Sequence, residues 1–385
     1  MDRVSASDAR PAGPRIACFV ATSGHSGVDR AMQHLLPALA RRGYAVDLLK
    51  VRGHGPELGA LPPGLRVVDL GSRHVYTSLG AVVRYLRRSR PAVLLADKDR
   101  VNRTALLARA LAGSGSRLVL SSGTTISVDL AHRGPFERWL QRYSMGRWYR
   151  HADRVIVTCR GVADDLAAYT GLPRDHIEVV PSPVVPRQLL TEPQPRPDHP
   201  WFAPGQPPVI VGMGELGWRK DFPTLIRAFA ALRRRLPCRL VILGRGGQRR
   251  ALIDLAQALG VAEAVDLPGF QPNPYGFLAH AAAFAFTSRW EGLGFALIEA
   301  LAVGTPVVAT DCPSGPREIL QDGRYGRLVP VGDAEALAAA LFDTLRAPLP
   351  PETLREAAWP YEIERSTSAY LQVLGLDPRS PPAAG

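Results

Sequence analysis

Two series of short apolar runs alternating with amphipathic stretches, separated by a proline-dense segment, constrain the fold of this chain more than anything else in its sequence. Residues 16–21 read as a buried strand, 29–42 as a helix stopped by Gly43, and 45–51 as the next strand. The first series continues with strands at 66–69, 92–95, 117–121, 154–158 and 177–180, and with helices at 78–88, 102–111, 136–150 and 161–169. The second series places strands at 208–213, 239–243, 265–267, 283–287 and 306–310, and helices at 222–234, 248–259, 295–301 and 334–346. A strand that returns to its own sheet through a helix does so with right-handed sense, which makes the sheet parallel and covers both its faces. The predicted class is α/β, two Rossmann-like domains facing a central cleft. Ligands of such sheets bind beyond the carboxyl ends of the strands, which directs attention to the loops after Ala21, Met213, Leu243 and Thr287.

Ten prolines between Pro181 and Pro208 exceed what a helix or a central strand tolerates. The expected division is therefore a first domain at 14–185, a semi-rigid linker at 186–207 and a second domain at 208–377. The ends, 1–13 and 378–385, are rich in Pro, Ala and Ser and are expected to be disordered.

The formal charge of +12 over 385 residues is carried almost wholly by arginine, since Lys50, Lys98 and Lys220 are the only lysines. Such a balance favours anionic partners: phosphorylated metabolites, acidic lipid headgroups or nucleic acid. Cys18, Cys159, Cys238 and Cys312 lie far apart, with no spacing that indicates a metal site or a disulfide framework. No window approaches the ~18 apolar residues of a membrane-spanning helix, and the first apolar run is too short for a signal peptide. These features predict a cytoplasmic protein, able at most to lie on the membrane surface, with no metal or other cofactor.

Gly212-Met213-Gly214-Glu215-Leu216-Gly217 spells G-x-G-x-x-G after a strand. Dinucleotide binding also needs an acid about 20 residues on to hold the ribose, and residues 228–240 contain neither Asp nor Glu. The stretch from Ser288 to Leu320 is more informative. A strand ends at Thr287, and small residues turn the chain into a helix whose first amides, near Gly294 to Leu297, form a cradle for an anion such as a diphosphate. Glu291 precedes that cradle and Glu299 follows it. If helix ran between them their backbones would lie on the order of 12 Å apart, beyond the ~5–9.5 Å that separates glycosidase carboxyl groups. Read from these residues alone, the pair fits either two parts of one ligand or two solvated helix-end charges.

The run Glu291-Gly292-Leu293-Gly294-Phe295-Ala296-Leu297-Ile298-Glu299 resembles the E-x7-E signature of the retaining glycosyltransferases of family 4, which have the GT-B fold. The likeness continues through Gly304-Thr305-Pro306-Val307-Val308 and Gly315-Pro316-Arg317-Glu318-Ile319-Leu320 to Asp322-Gly323-Arg324-Tyr325-Gly326. The loop from Gly214 to Phe222 is similar to the family's Gly-Arg-Leu…Lys-Gly-Phe loop, and Ser26-Gly27-Val28-Asp29-Arg30 to its Gly-Gly-Val-Glu-Arg loop. The resemblance implies transfer of a sugar, with retention, from a nucleotide diphosphate donor to a glycan or lipid-linked acceptor in cell-surface polysaccharide or glycolipid assembly. It implies Glu291 and Lys220 as catalytic residues. Glu299, Arg219, Gly292, Gly294, Phe295, Ala296 and Leu297 would bind the donor, and Gly27 and Thr124 the acceptor or the transferred sugar.

The chain departs from that pattern at two places. Glu215 stands where the family has an arginine, so either Arg219 supplies the missing charge or one phosphate contact is absent. After the strand at 117–121, Ser122-Gly123-Thr124-Thr125 occupies the place of a sugar-contacting histidine. Separately, residues 133–154 interleave Phe136, Trp139, Leu140, Tyr143, Trp148 and Tyr149 with Arg138, Arg142, Arg147 and Arg150. Two readings fit: a helix lying on an anionic membrane surface, or one packing its aromatic side on the first sheet. No nucleic-acid-binding module is recognisable, so no nucleic-acid partner is expected. A sugar-nucleotide epimerase of the same fold and a non-catalytic sugar-nucleotide or lipid-binding protein are the alternative functions.

Overall fold

The computed structural model describes residues 13–22 and 26–376. The expected disordered ends lie outside the described residues, except Gly13, whose amide donates to the Gly43 carbonyl at 3.2 Å. The chain divides into two compact units, one running to Val184 and resuming at Ile363, the other spanning Val185–Glu362.

The first unit carries a seven-stranded sheet of β1 (Arg15–Val20), β2 (Ala45–Lys50), β3 (Leu65–Asp69), β4 (Val93–Asp97), β5 (Arg117–Ser122), β6 (Arg154–Val157) and β7 (Ile177–Val179) in the order 3-2-1-4-5-6-7. Every pairing is parallel, with Ile16 beside Val46 on one side and Val93 on the other. Apolar runs without alternation become these central strands because helices cover both faces, and β1 is buried from Ile16 to Val20.

The second unit repeats the scheme with β8 (Val209–Met213), β9 (Arg239–Leu243), β10 (Val265–Gly269), β11 (Ala283–Phe286), β12 (Val307–Thr310) and β13 (Arg327–Val329), ordered 10-9-8-11-12-13 and parallel throughout. Its core packs Leu225, Phe229 and Leu232, from the helix Phe222–Arg233, with Leu337 and Leu341 and with Ile210, Leu240 and Ile242 of the sheet. The strand β13 is only three residues long, too short for its apolar pattern to stand out in the sequence.

Two domain limits differ from expectation. The proline-rich stretch at 186–207 belongs to the second unit. Between its prolines, Leu189, Leu190 and Phe202 are buried, with the Phe202 ring 5.4 Å from that of Phe277. Short helical turns at Arg187–Thr191 and Pro200–Phe202 fit between the prolines and carry these buried side chains. The helix Ile363–Val373, expected in the second domain, packs instead on the helix Gly27–Arg41 of the first unit. Tyr370, Leu371 and Leu374 enter the same core as Ile16 and Val46. Arg42, buried, meets Glu364 at 2.9 Å. An amphipathic pattern shows that a helix must cover something; it does not say which sheet.

Candidate active site

In the second sheet the strand order reverses between β8 and β11, the switch point at which open α/β sheets bind ligands. Two loops leave the carboxyl ends of those strands, 214–221 and 287–294. Their backbones are tied together: the Arg289 amide donates to the Arg219 carbonyl at 2.8 Å, and Thr287 Oγ1 donates to the Lys220 carbonyl at 2.8 Å. Close approach of a third loop depends on Gly244 (φ +142°), where a Cβ would stand 1.8 Å from the Gly214 carbonyl oxygen.

The loops bring Glu291, Lys220 and Arg219 into contact. Glu291 accepts from Lys220 Nζ at 2.5 Å, from Arg219 at 3.1 Å and from the Ser288 hydroxyl at 2.7 Å. Burial acts to raise its carboxyl, but Lys220, then Arg219, and the bonds from Lys220 and Ser288 outweigh it and hold Glu291 below the usual carboxylate range. The two cations expected to clamp a diphosphate are therefore already partnered. With two cations around one carboxylate, the cluster keeps one positive charge in excess. Arg219 reaches Glu291, while Glu215 is exposed.

The helix Phe295–Ala302 begins after Gly294, which is at φ +104°, a left-handed conformation that favours glycine. The expected cradle is narrower than the sequence implies, because the Leu297 amide donates back to the Gly294 carbonyl at 3.0 Å. Phe295 and Ala296 open the helix and contribute the orphan amides of its first turn. Gly292 lies buried in the preceding loop. Because helix begins only at Phe295, it does not run the whole way from Glu291 to Glu299. Glu299 is fully buried and accepts from the Tyr275 hydroxyl at 3.3 Å. Tyr275 opens a five-residue helix that the sequence pattern did not reveal, and its isolated aromatic ring carried no periodic signal.

Comparison with known proteins bears on the family and the fold. Residues 26–183 match the model of the glycosyl transferase 4-like domain, and residues 196–359 that of glycosyl transferases group 1. The fold matches lipopolysaccharide outer core galactosyltransferase WaaB, with a TM-score of 0.70 at 16% identity over 94% of this chain and 99% of that one. The chain is a family-4 type GT-B glycosyltransferase. This glycosyltransferase is also 28% identical, over 89% of its length and 92% of the relative's, to an N-acetylgalactosaminyltransferase of Campylobacter jejuni that acts on a diphospho-undecaprenol-linked sugar. It is 38% identical to the lipopolysaccharide core glycosyltransferase LpsE of Rhizobium meliloti over 46% of its length and 52% of that protein. HepE of Anabaena, solved with UDP-glucose, matches with a TM-score of 0.73 at 17% identity, over 94% of this chain and 99% of that one.

In the first unit of the glycosyltransferase, the remaining expected residues stand at a helix start and in a loop. Gly27 opens the helix Gly27–Arg41, capped by Ser26, whose hydroxyl donates to Asp29 at 2.6 Å and whose amide donates to the same carboxylate at 2.7 Å. Asp29 is buried and also receives the Thr22 hydroxyl. Thr124 is exposed in the loop after β5. At the end of β4, buried Asp97 accepts from Ser121 Oγ at 2.5 Å, and Lys98 follows with φ +81°. Burial, with Asp29 adding to it, raises the Asp97 carboxyl against the opposing pull of Ser121 and Lys98.

Of the aromatic side chains at 133–154, Tyr149 alone is buried, so the helix Pro135–Trp148 does not pack its aromatic side on the first sheet. Only Met145, Gly146 and the following Tyr149 are buried. Phe136 (73% exposed), Trp139, Leu140, Tyr143 and Trp148 face outward, with the rings of Phe136 and Trp139 at 6.0 Å and those of Trp139 and Tyr143 at 5.8 Å.

Proposed function

We propose that this glycosyltransferase takes a hexose from a nucleoside diphosphate sugar and transfers it, with retention, to a hydroxyl of a glycan or lipid-linked acceptor in cell-surface polysaccharide or glycolipid assembly. The observation that carries the reading is the cluster of Lys220, Arg219 and Glu291 beside the amides of Phe295 and Ala296, with Glu299 held separately by Tyr275. Cations and helix amides suit the donor diphosphate. In this reading Glu299 accepts from the ribose hydroxyls and Glu291 from those of the sugar.

In the transfer, the acceptor oxygen forms the new bond to the anomeric carbon. The bond from that carbon to the diphosphate oxygen breaks, and its electron pair leaves with the diphosphate. The acceptor's proton passes to that diphosphate oxygen on the same face. Lys220 and Arg219 stabilise the charge that develops on the leaving group, and Glu291 stabilises the positive charge at the anomeric carbon. The related proteins that act on lipid-linked or lipopolysaccharide acceptors favour such an acceptor here. Four buried cysteines, none in a disulfide, fit a reducing compartment.

The test is to incubate the protein with a panel of nucleotide sugars and measure nucleoside diphosphate release with and without acceptor. Acceptor-dependent release supports transfer. Turnover that needs no acceptor would favour an epimerase, and binding without turnover would favour a non-catalytic protein.

The outward stripe of the helix Pro135–Trp148 favours peripheral attachment to an anionic bilayer at the cytoplasmic face. Arg138, Arg142 and Arg147 share that helix with the aromatic rings. Beside it lies a groove of about 660 Å³ lined by Leu106, Leu107, Ala110, Arg147 and Trp148. Interfacial helices combine an apolar face with cationic flanks in this way. Among the described residues no helix is long and apolar enough to cross a membrane. Replacing Phe136, Trp139 and Tyr143 by Ser should abolish sedimentation with phosphatidylglycerol vesicles without unfolding the protein, since these rings are exposed. Sedimentation equal to the wild type would remove this helix from the contact.

A further inference from the structure

Next to the donor cluster stands an exposed side chain that the transfer reaction does not use. Trp218 is 63% exposed, yet it is braced. The Arg289 guanidinium lies over its ring at 5.0 Å and is itself fixed by an ion pair with buried Asp221 at 3.0 Å. The Trp290 ring stands 5.2 Å from it at 57°. A large apolar ring left in water gains nothing for the fold, and a cation held by a buried carboxylate immobilises it. What results is a rigid aromatic surface beside the site.

Its place narrows what it meets. Trp218 precedes Arg219 and Lys220 directly, and Trp290 directly precedes Glu291. Both therefore sit on the Glu291 side of the cluster, while Glu299 and Tyr275, the proposed ribose end, lie at and beyond the helix Phe295–Ala302. A nucleobase is joined to the ribose, at the Glu299 end, and not to the diphosphate that the cluster would hold. The donor sugar has to reach Glu291, which is buried, whereas Trp218 is open to solvent. A pyranose presents a face of C–H bonds, electropositive at hydrogen, to the electron-rich face of an indole ring, while its hydroxyls remain hydrated at the edge.

Resting on the donor assignment above, we propose that Trp218, braced by Arg289 and Trp290, is a stacking platform for a pyranose ring of the acceptor glycan.

The experiment compares wild type, Trp218→Ala and Trp218→Phe. Each is mixed with the methyl glycosides of glucose, galactose and N-acetylglucosamine and followed by saturation-transfer NMR. Calorimetry on the same proteins gives the affinities for UDP and GDP. The expected result is saturation of the C–H hydrogens of one ring face, reduced at least about threefold in Trp218→Ala and partly kept in Trp218→Phe, in the range of a single aromatic contact. That signal should survive saturating UDP-glucose or GDP-mannose, and the affinities for UDP and GDP should stay within about twofold of wild type. Absence of saturation, equal signals in wild type and Trp218→Ala, or displacement by a nucleotide sugar would each overturn the proposal. So would a fall in UDP or GDP affinity in Trp218→Ala, since it would make the ring a nucleotide contact. Failure of the wild type to bind UDP or GDP is a separate outcome, and it counts against the donor assignment itself.

Discussion

The two units share one topology and differ in the charge of their switch points. In each sheet the order reverses between two neighbouring strands, β1 and β4 in one and β8 and β11 in the other. In the first unit that point gathers Asp29 and Asp97 with the hydroxyls of Thr22, Ser26 and Ser121. In the second it gathers Lys220 and Arg219 around Glu291. Excess positive charge at the latter suits an anion. The same backbone scheme thus gathers two cations around one carboxylate in one unit and two carboxyl groups with hydroxyls in the other. The carboxyl groups beside β4 and β11 also move in opposite directions, Asp97 up and Glu291 down.

The strongest challenge to this contrast is Glu291→Gln. The amide keeps the shape and some hydrogen bonds but loses the charge, so turnover should fall by roughly 100-fold or more. Nucleoside diphosphate affinity should hold or improve, because Lys220 and Arg219 lose their anionic partner. Parallel loss of turnover and of affinity would instead make Glu291 a ground-state binding residue.

Lys220→Ala comes next. Its side chain is largely buried, and its ammonium contacts Glu291 at 2.5 Å. Turnover should drop at least about tenfold, the scale of one transition-state contact. Arg219, more exposed, should cost less on the same change, about threefold. Kinetics of both variants with a working donor and acceptor rank the two cations, and the reverse order would identify Arg219 as the principal clamp.

Stability against pH is a smaller effect and sharpens the comparison directly. A carboxyl held below its ordinary value near 4.5 stabilises the fold above that value, and the contribution is lost as pH falls through the depressed one. The difference in urea midpoint between wild type and Glu291→Gln should therefore be larger at pH 7 than at about pH 3.5. A gap independent of pH would show that the carboxylate is not held down by its cations.

Asp97 should behave in the opposite sense and most weakly. Its carboxyl is raised above an ordinary 3.8, so the folded state holds the proton more tightly and gains stability as pH falls through the raised value. Wild type should thus gain on Asp97→Asn as acid is added, where it loses on Glu291→Gln. Matching trends in the two pairs would erase the proposed difference between the switch points.

Much of this molecule was legible without coordinates. Helices and strands of both series stand within a few residues of where periodicity placed them; Arg239–Leu243 and Ala334–Arg346 coincide with it. Glu291 and Glu299 stood out as a pair flanking a strand-to-helix turn, and the resemblance to family 4 added Lys220 to them; such motifs are short and local. Such signals live within one stretch of chain, and the sequence by itself therefore determines the fold class and the chemistry on offer.

What only the tertiary structure decided involves residues remote in the chain or a face that periodicity leaves open. The pairing of Glu291 with Arg219 and Lys220 spans about seventy residues. Tyr275 reaches Glu299 from a short helix without a pattern of its own. The helix Ile363–Val373 crosses to the first sheet, and the aromatic stripe of Pro135–Trp148 turns outward. In each case the local pattern is satisfied by more than one partner, and the choice falls to packing, because burial rewards any apolar contact that fits and carries no label for which surface supplies it.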